Sequence, residues 1–152
     1  MSSNSPAPRY SGPLPLAEAL TSLLLSESSK AEFTKEGLRA DVEYRDLGLA
    51  KATGGKVGAK HIRAIKPFDH ETGWHWHDMN GHFVYVLKGW LKFRFAGHEG
   101  EVTVKAGDCL SQPAGVAHNV IGRSDDMEVL EFNMPAEYST VDIAGPEVTK
   151  RK

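Results

Sequence analysis

The sequence predicts an all-β domain, either a sandwich or a small barrel. Three observations carry this. From about residue 40 onward, short segments of alternating or β-branched and aromatic residues follow one another at close intervals. Turn signals built from Gly, Pro, Asn and Asp separate them. Only one stretch, near the N-terminus, has helical spacing. The length of 152 residues suits one domain with a sizeable core.

Taken in order, residues 1–13, "MSSNSPAPRYSGP", are rich in Ser and Pro and read as a disordered N-terminal segment. Residues 14–135 read as the single domain. It opens with "PLAEALTSLLL", where Leu16, Leu20, Leu23 and Leu24 fall at helical spacing and Pro15 suits a first turn. This predicts a short amphipathic helix packed on the rest. "AKHIRAIKPF" reads as a strand ending near Pro67, and "HFVYVLKG" as another. "WLKFRF" puts Leu91, Phe93 and Phe95 on one face and Trp90, Lys92 and Arg94 on the other. "AGHEGE" is a hairpin connection leading into "VTV", "KAGD" and "QPAG" are turns, and "MEVLEFNM" is a last strong strand. Phe83, Phe93 and Phe95 are assigned to the core. Residues 136–152 supply either an edge strand or a tail.

Composition excludes several function classes. Net charge is −2, so no basic field points to nucleic acid or acidic lipid. Lys150, Arg151 and Lys152 read as a solvated tail. Cys109 is the only cysteine, which rules out a disulfide within the chain and fits a reducing compartment; a buried structural thiol is expected. No segment is long and apolar enough to span a membrane, and the N-terminus lacks a signal-peptide layout. The expectation is a soluble cytoplasmic protein.

The chemistry concentrates in "GWHWHDMNGHFVYVLKG", which holds three of the seven histidines. If the segment is a strand, His75 and His77 leave the same face about 7 Å apart, with Trp74, Trp76 and Asp78 on the other. Asn80-Gly81 signals a tight hairpin turn. His82 would then open the returning strand, within about 5 Å of the first. Imidazole is the commonest metal-binding side chain, so three on adjoining strands suggest a metal site. A fourth comes from "GDCLSQPAGVAHN", where His118 follows two turns.

These two segments resemble the paired motifs of the cupin superfamily. The first motif is matched by His75, His77 and Gly89 at the family spacing, the second by Gly107, Pro113, Gly115 and His118. There are three departures: Asp69 stands where the first glycine is expected, Gly122 replaces the final asparagine, and His82 occupies the position of the glutamate. The first two affect turns; the third changes the chemistry.

The resemblance implies a double-stranded β-helix, or jelly-roll barrel, holding one divalent metal ion between His75, His77, His82 and His118. It favours Mn, Fe or Ni, with Zn or Cu as alternatives, and a homodimer. Four neutral imidazoles would leave the ion's +2 charge uncompensated, so the partner is a small-molecule substrate, anionic or enolisable. The leading expectation is a dioxygenase-type oxidoreductase. A lyase or isomerase using Lewis-acid catalysis and a non-catalytic small-molecule-binding cupin stand as alternatives. With no ligand carboxylate to act as a base, proton transfer would fall to a group behind the ligands, for which Tyr85, Gln112 and His61 are the candidates. His70 and His98 are placed in solvent-exposed loops, and Trp74 and Trp76 on the outer face.

Overall fold

A computed structural model describes residues 23–146. Within them, strands form two five-stranded antiparallel sheets. The first has the order β1 (Val42–Asp46), β2 (Gly58–Ala64), β9 (Glu128–Met134), β4 (Gly81–Lys88), β7 (Cys109–Gln112). The second runs β10 (Thr140–Asp142), β3 (His75–His77), β8 (His118–Arg123), β5 (Trp90–Phe95), β6 (Val102–Lys105). This is the jelly-roll barrel. Sequential strands switch sheets, as between β4 and β5, so residues close in the chain line opposite walls.

Alternation explains the two walls. On β5 the buried residues are Leu91, Phe93 and Phe95; on β4, after the buried Gly81, they are His82, Val84 and Val86. On β9, Val129 and Asn133 are buried and flank Glu131 on the same parity. Val84, Val86 and Val129 of the first sheet meet Leu91, Phe93, Phe95 and Val104 of the second in one apolar cluster, joined by Val42, Ile62 and Met127. Each such side chain contributes roughly 1.5–3 kcal/mol by leaving water.

Several expectations need correction. Asn80-Gly81 is not a hairpin turn. Asp78 N–H donates to Ser139 O at 3.0 Å and Asn80 N–H to Met134 O at 2.6 Å, so the segment is pinned to the end of β9 and the residues after it. The chain thereby crosses from the second sheet to the first. Phe83 belongs to the outward parity of β4, half-buried and opposite Phe132 of β9, not to the core. Cys109 is exposed, because on β7 it pairs with the outward-facing Tyr85, while Gln112 takes the buried parity. The expected N-terminal helix lies mostly outside the described residues, as do residues 1–13. Its described end, Leu23–Leu25, is not helical. There Leu24 lies across Gly48 instead of continuing an amphipathic stripe. A one-turn helix, α1 (Leu49–Ala52), follows β1.

The corner between β4 and β5 turns on Gly89, which has φ of 72°. A Cβ there would lie 2.0 Å from Ser124 Oγ, the oxygen that accepts a hydrogen bond from Trp90 N–H. Gly107, in the turn before β7, has φ of 91° but open space around it. Gly107→Ala therefore carries only the backbone cost, about 1–2 kcal/mol. Gly89→Ala adds a steric clash and a displaced Ser124. Urea unfolding is expected to rank Gly89→Ala well below Gly107→Ala in stability; equal losses would show that the Ser124 contact does not constrain the corner.

Candidate metal centre

His75 on β3 lies directly opposite His118 on β8. His77, two residues along β3, leaves the same face. All three are buried, and one ring nitrogen from each lies within 4.8 Å of the others. Ring centroids are 5.0 Å apart for His75–His77, 4.4 Å for His75–His118 and 5.1 Å for His77–His118. His82 approaches from β4 on the opposite wall, with centroids 5.3 Å from His77 and 6.1 Å from His118. The structure thus brings all four histidines to one place, three in a tight group and one beside it.

Their outer partners decide which nitrogens are free. His75 Nδ1–H donates to the carbonyl of Gly73 at 2.8 Å, and His118 Nδ1–H to that of Val116 at 3.1 Å. A carbonyl can only accept, so Nδ1 holds the proton and Nε2 keeps its lone pair. His77 Nδ1 is hydrogen-bonded at 2.7 Å to Thr140 Oγ1, which β10 places opposite it. Ligating histidines show this arrangement, the distal nitrogen fixed so the other can bind a metal.

His82 differs. Its Nε2 lies 3.4 Å from Glu131 Oε2 and 3.5 Å from the amide nitrogen of Gln112. Of the three candidates for a group behind the histidines, Gln112 is buried, pairs with His82 across β4 and β7, and lines the cavity. Its Oε1 is buried without a hydrogen-bond partner. The other two candidates do not reach the site. Tyr85 points outward and is 40% exposed. His61 packs on the outside of β2 against Phe33 and Glu128. His70 and His98 are exposed.

Glu131 was not singled out from the sequence, although a charged residue at the inward parity of "EVLEFNM" is a readable signal. Its carboxyl is pushed up by burial. The hydrogen bond from His82, with the Lys60 ammonium behind it, outweighs that effect and holds the carboxyl below the usual carboxylate range. Arg39, Lys60 and Tyr138 also line the cavity unannounced, because nothing local marks a loop or strand residue as facing a barrel mouth. Tyr138 stands edge-on to His77, and burial raises its hydroxyl pKa. The cavity measures about 650 Å³ and reaches from the histidines to an apolar floor that includes Val84, Phe93 and Val129.

Burial lowers the pKa of His75. Burial, followed by the charges of His82 and His75, lowers His77 to about 4. Burial, followed by the charge of His75, takes His118 to about 3. Neutral imidazoles are the ligating form. A buried neutral triad with fixed Nδ1 atoms, beside an unpartnered amide oxygen, fits a divalent metal ion.

In metal-free protein the same shifts set a pH dependence. The unfolded chain takes up protons on these histidines near 6.5, while in the folded protein His77 resists until about pH 4 and His118 until about pH 3. Stability therefore falls as pH drops below 6.5 and flattens near the folded values. Glu131 adds to the loss only below its ordinary 4.5. Thermal melts of metal-free protein are expected to decline between pH 7 and pH 4, and less steeply for His118→Gln. A flat profile over that window would contradict burial of the neutral triad.

The family model for the cupin domain matches residues 62–133. No curated protein matches the sequence. Among solved structures, KdgF from Halomonas sp. is similar at 12% identity and a TM-score of 0.59, over 74% of this chain and 94% of that one. The polyketide cyclase RemF from Streptomyces resistomycificus gives 16% identity and a TM-score of 0.63, over 83% and 89%. Oxalate decarboxylase from Bacillus subtilis gives 18% and 0.56, over 76% of this chain but only 30% of that one. At these identities the likeness is one of fold. The family match supports a cupin domain over residues 62–133, and the two facing sheets, with the histidines on β3 and β8, have the fold of these neighbours.

Proposed function

We propose that this protein binds one divalent metal at its histidine cluster and acts as an enzyme on a small anionic or enolisable molecule. The observation that carries this reading is the buried triad of imidazoles with committed Nδ1 atoms, opening onto a cavity large enough for a small substrate. When bound, the ion supplies Lewis acidity and, if redox-active, a centre for O₂ chemistry. Mn, Fe and Ni remain the favoured metals; the similar oxalate decarboxylase from Bacillus subtilis has Mn(II) centres.

The chain's own groups give the substrate its place. Arg39 and Lys60 line the cavity and make its entrance attractive to an anion. The apolar floor takes the body of the molecule and excludes water. Two reaction classes follow from two observations. The all-histidine cluster, which adds no negative charge, favours an anionic substrate bound together with O₂, as in a dioxygenase. The Glu131 carboxylate beside the cluster favours proton transfer on an enolisable substrate, as in a lyase or isomerase.

Protein reconstituted with Mn, Fe or Ni and offered β-diketones, flavonols and 2-oxo acids separates these classes. Turnover in air but not under argon supports the dioxygenase; turnover in both supports the lyase or isomerase. Tight binding of such molecules with no turnover under either atmosphere would overturn the enzyme reading in favour of a binding protein.

A further inference from the structure

Two features of the chain have no part in the histidine centre. One is the leucine-rich stretch "LPLAEALTS", residues 14–22, which precedes the described residues. The other is an apolar strip on the outer face of the first sheet. We propose that the stretch docks on the strip of its own chain, across β9 and β4 on the side away from the histidines.

The strip follows from the strand register. Phe83 lies opposite Phe132 and Tyr85 opposite Leu130, all on the parity that faces away from the cavity. Leu87 extends the row along β4. Tyr85 and Leu87 are 40% and 42% exposed, and Phe83, Leu130 and Phe132 are half-buried. A contiguous apolar surface of this kind marks a place where something packs.

The occupant follows from how the rest of this face is covered. Phe33 stands edge-on to His61 of β2, with Arg63 Cζ 3.6 Å from its ring centre. Arg45 of β1 donates to the carbonyl and hydroxyl oxygens of Ser26. The N-terminal part of the chain thus already lies over β1 and β2. Arg45, His61, Leu130 and Tyr85 stand side by side across β1, β2, β9 and β4, so the strip continues the surface it covers. Followed back from Ser26, the chain reaches Leu24 across Gly48, just past β1. Strand spacing puts β9 about 10 Å and β4 about 15 Å from there. Residues 14–22 span about 30 Å if extended and about 13 Å if helical, so either form reaches the strip. Their composition suits it: three leucines, two alanines and a single charge, Glu18. Leu23 and Leu25, next in the chain, are 76% and 82% exposed, so the described barrel does not bury the leucines at this end.

The test uses the full chain. Cys109, the only cysteine, is exposed and is replaced by Cys109→Ser. A nitroxide is then attached at Glu18→Cys, and paramagnetic broadening of backbone amides is read by NMR. Amides of residues 83–87 and 130–132 are expected to lose most of their intensity, and those of β6, at the edge of the opposite sheet, much less. Adding Leu16→Asp and Leu20→Asp, which lie outside the described barrel, should abolish that excess and raise the fluorescence of an apolar dye. Isotope-labelled chains without nitroxide, mixed with unlabelled chains that carry it, should show no broadening. Broadening that appears in the mixture would place a second copy on the strip and overturn the proposal. So would the absence of any excess at the strip, or an excess that survives both aspartates.

Discussion

The site depends on two backbone carbonyls, those of Gly73 and Val116. Each lies two residues before a histidine and accepts that histidine's Nδ1–H. Without them the two rings could rotate or change tautomer, and their Nε2 lone pairs would have no fixed direction. Desolvation makes the arrangement exacting: buried among one another, these imidazoles stay neutral at pH values where an exposed histidine is charged. The barrel supplies the rest. β3 and β8 set His75 against His118, and the edge strand β10 brings Thr140 to His77.

Much of this was legible in the sequence. The alternation in "WLKFRF" gave the buried face of β5 without help from tertiary context, because a strand with one face on the core must alternate. The histidine spacings pointed to one cluster, and all four do assemble. The route was misread, however. Asn80-Gly81 carries the chemistry of a tight turn, yet the segment is held by Met134 and Ser139, which are distant in the chain. A local signal was overridden by long-range backbone pairing. The consequence reaches the site, since His82 arrives from the opposite wall and not from a neighbouring strand.

Glu131 shows the other limit. Its inward parity could be read from "EVLEFNM", but its meaning could not, because that depends on β9 lying next to β4. Lys60 and Arg39 are of the same kind: their strand or loop is identifiable, while their convergence on one cavity is a property of the closed barrel. Cys109 and Phe83 were expected inside on residue type, whereas the parity of β7 and β4 puts both on the outer face. The apolar character of Phe83 is used on the outer face, against Phe132.

The arrangement joins a neutral, well-fixed histidine triad to a half-buried carboxylate and two cationic side chains around one cavity. Its central claim is that the triad exists to hold a metal. The direct test is elemental analysis of protein purified without added metal, with His75→Ala and His118→Ala prepared in parallel. The account predicts close to one equivalent of a divalent transition metal in the wild type and its loss in both variants. Wild type that is metal-free as purified and stays so after incubation with Mn, Fe, Ni, Zn and Cu would contradict it.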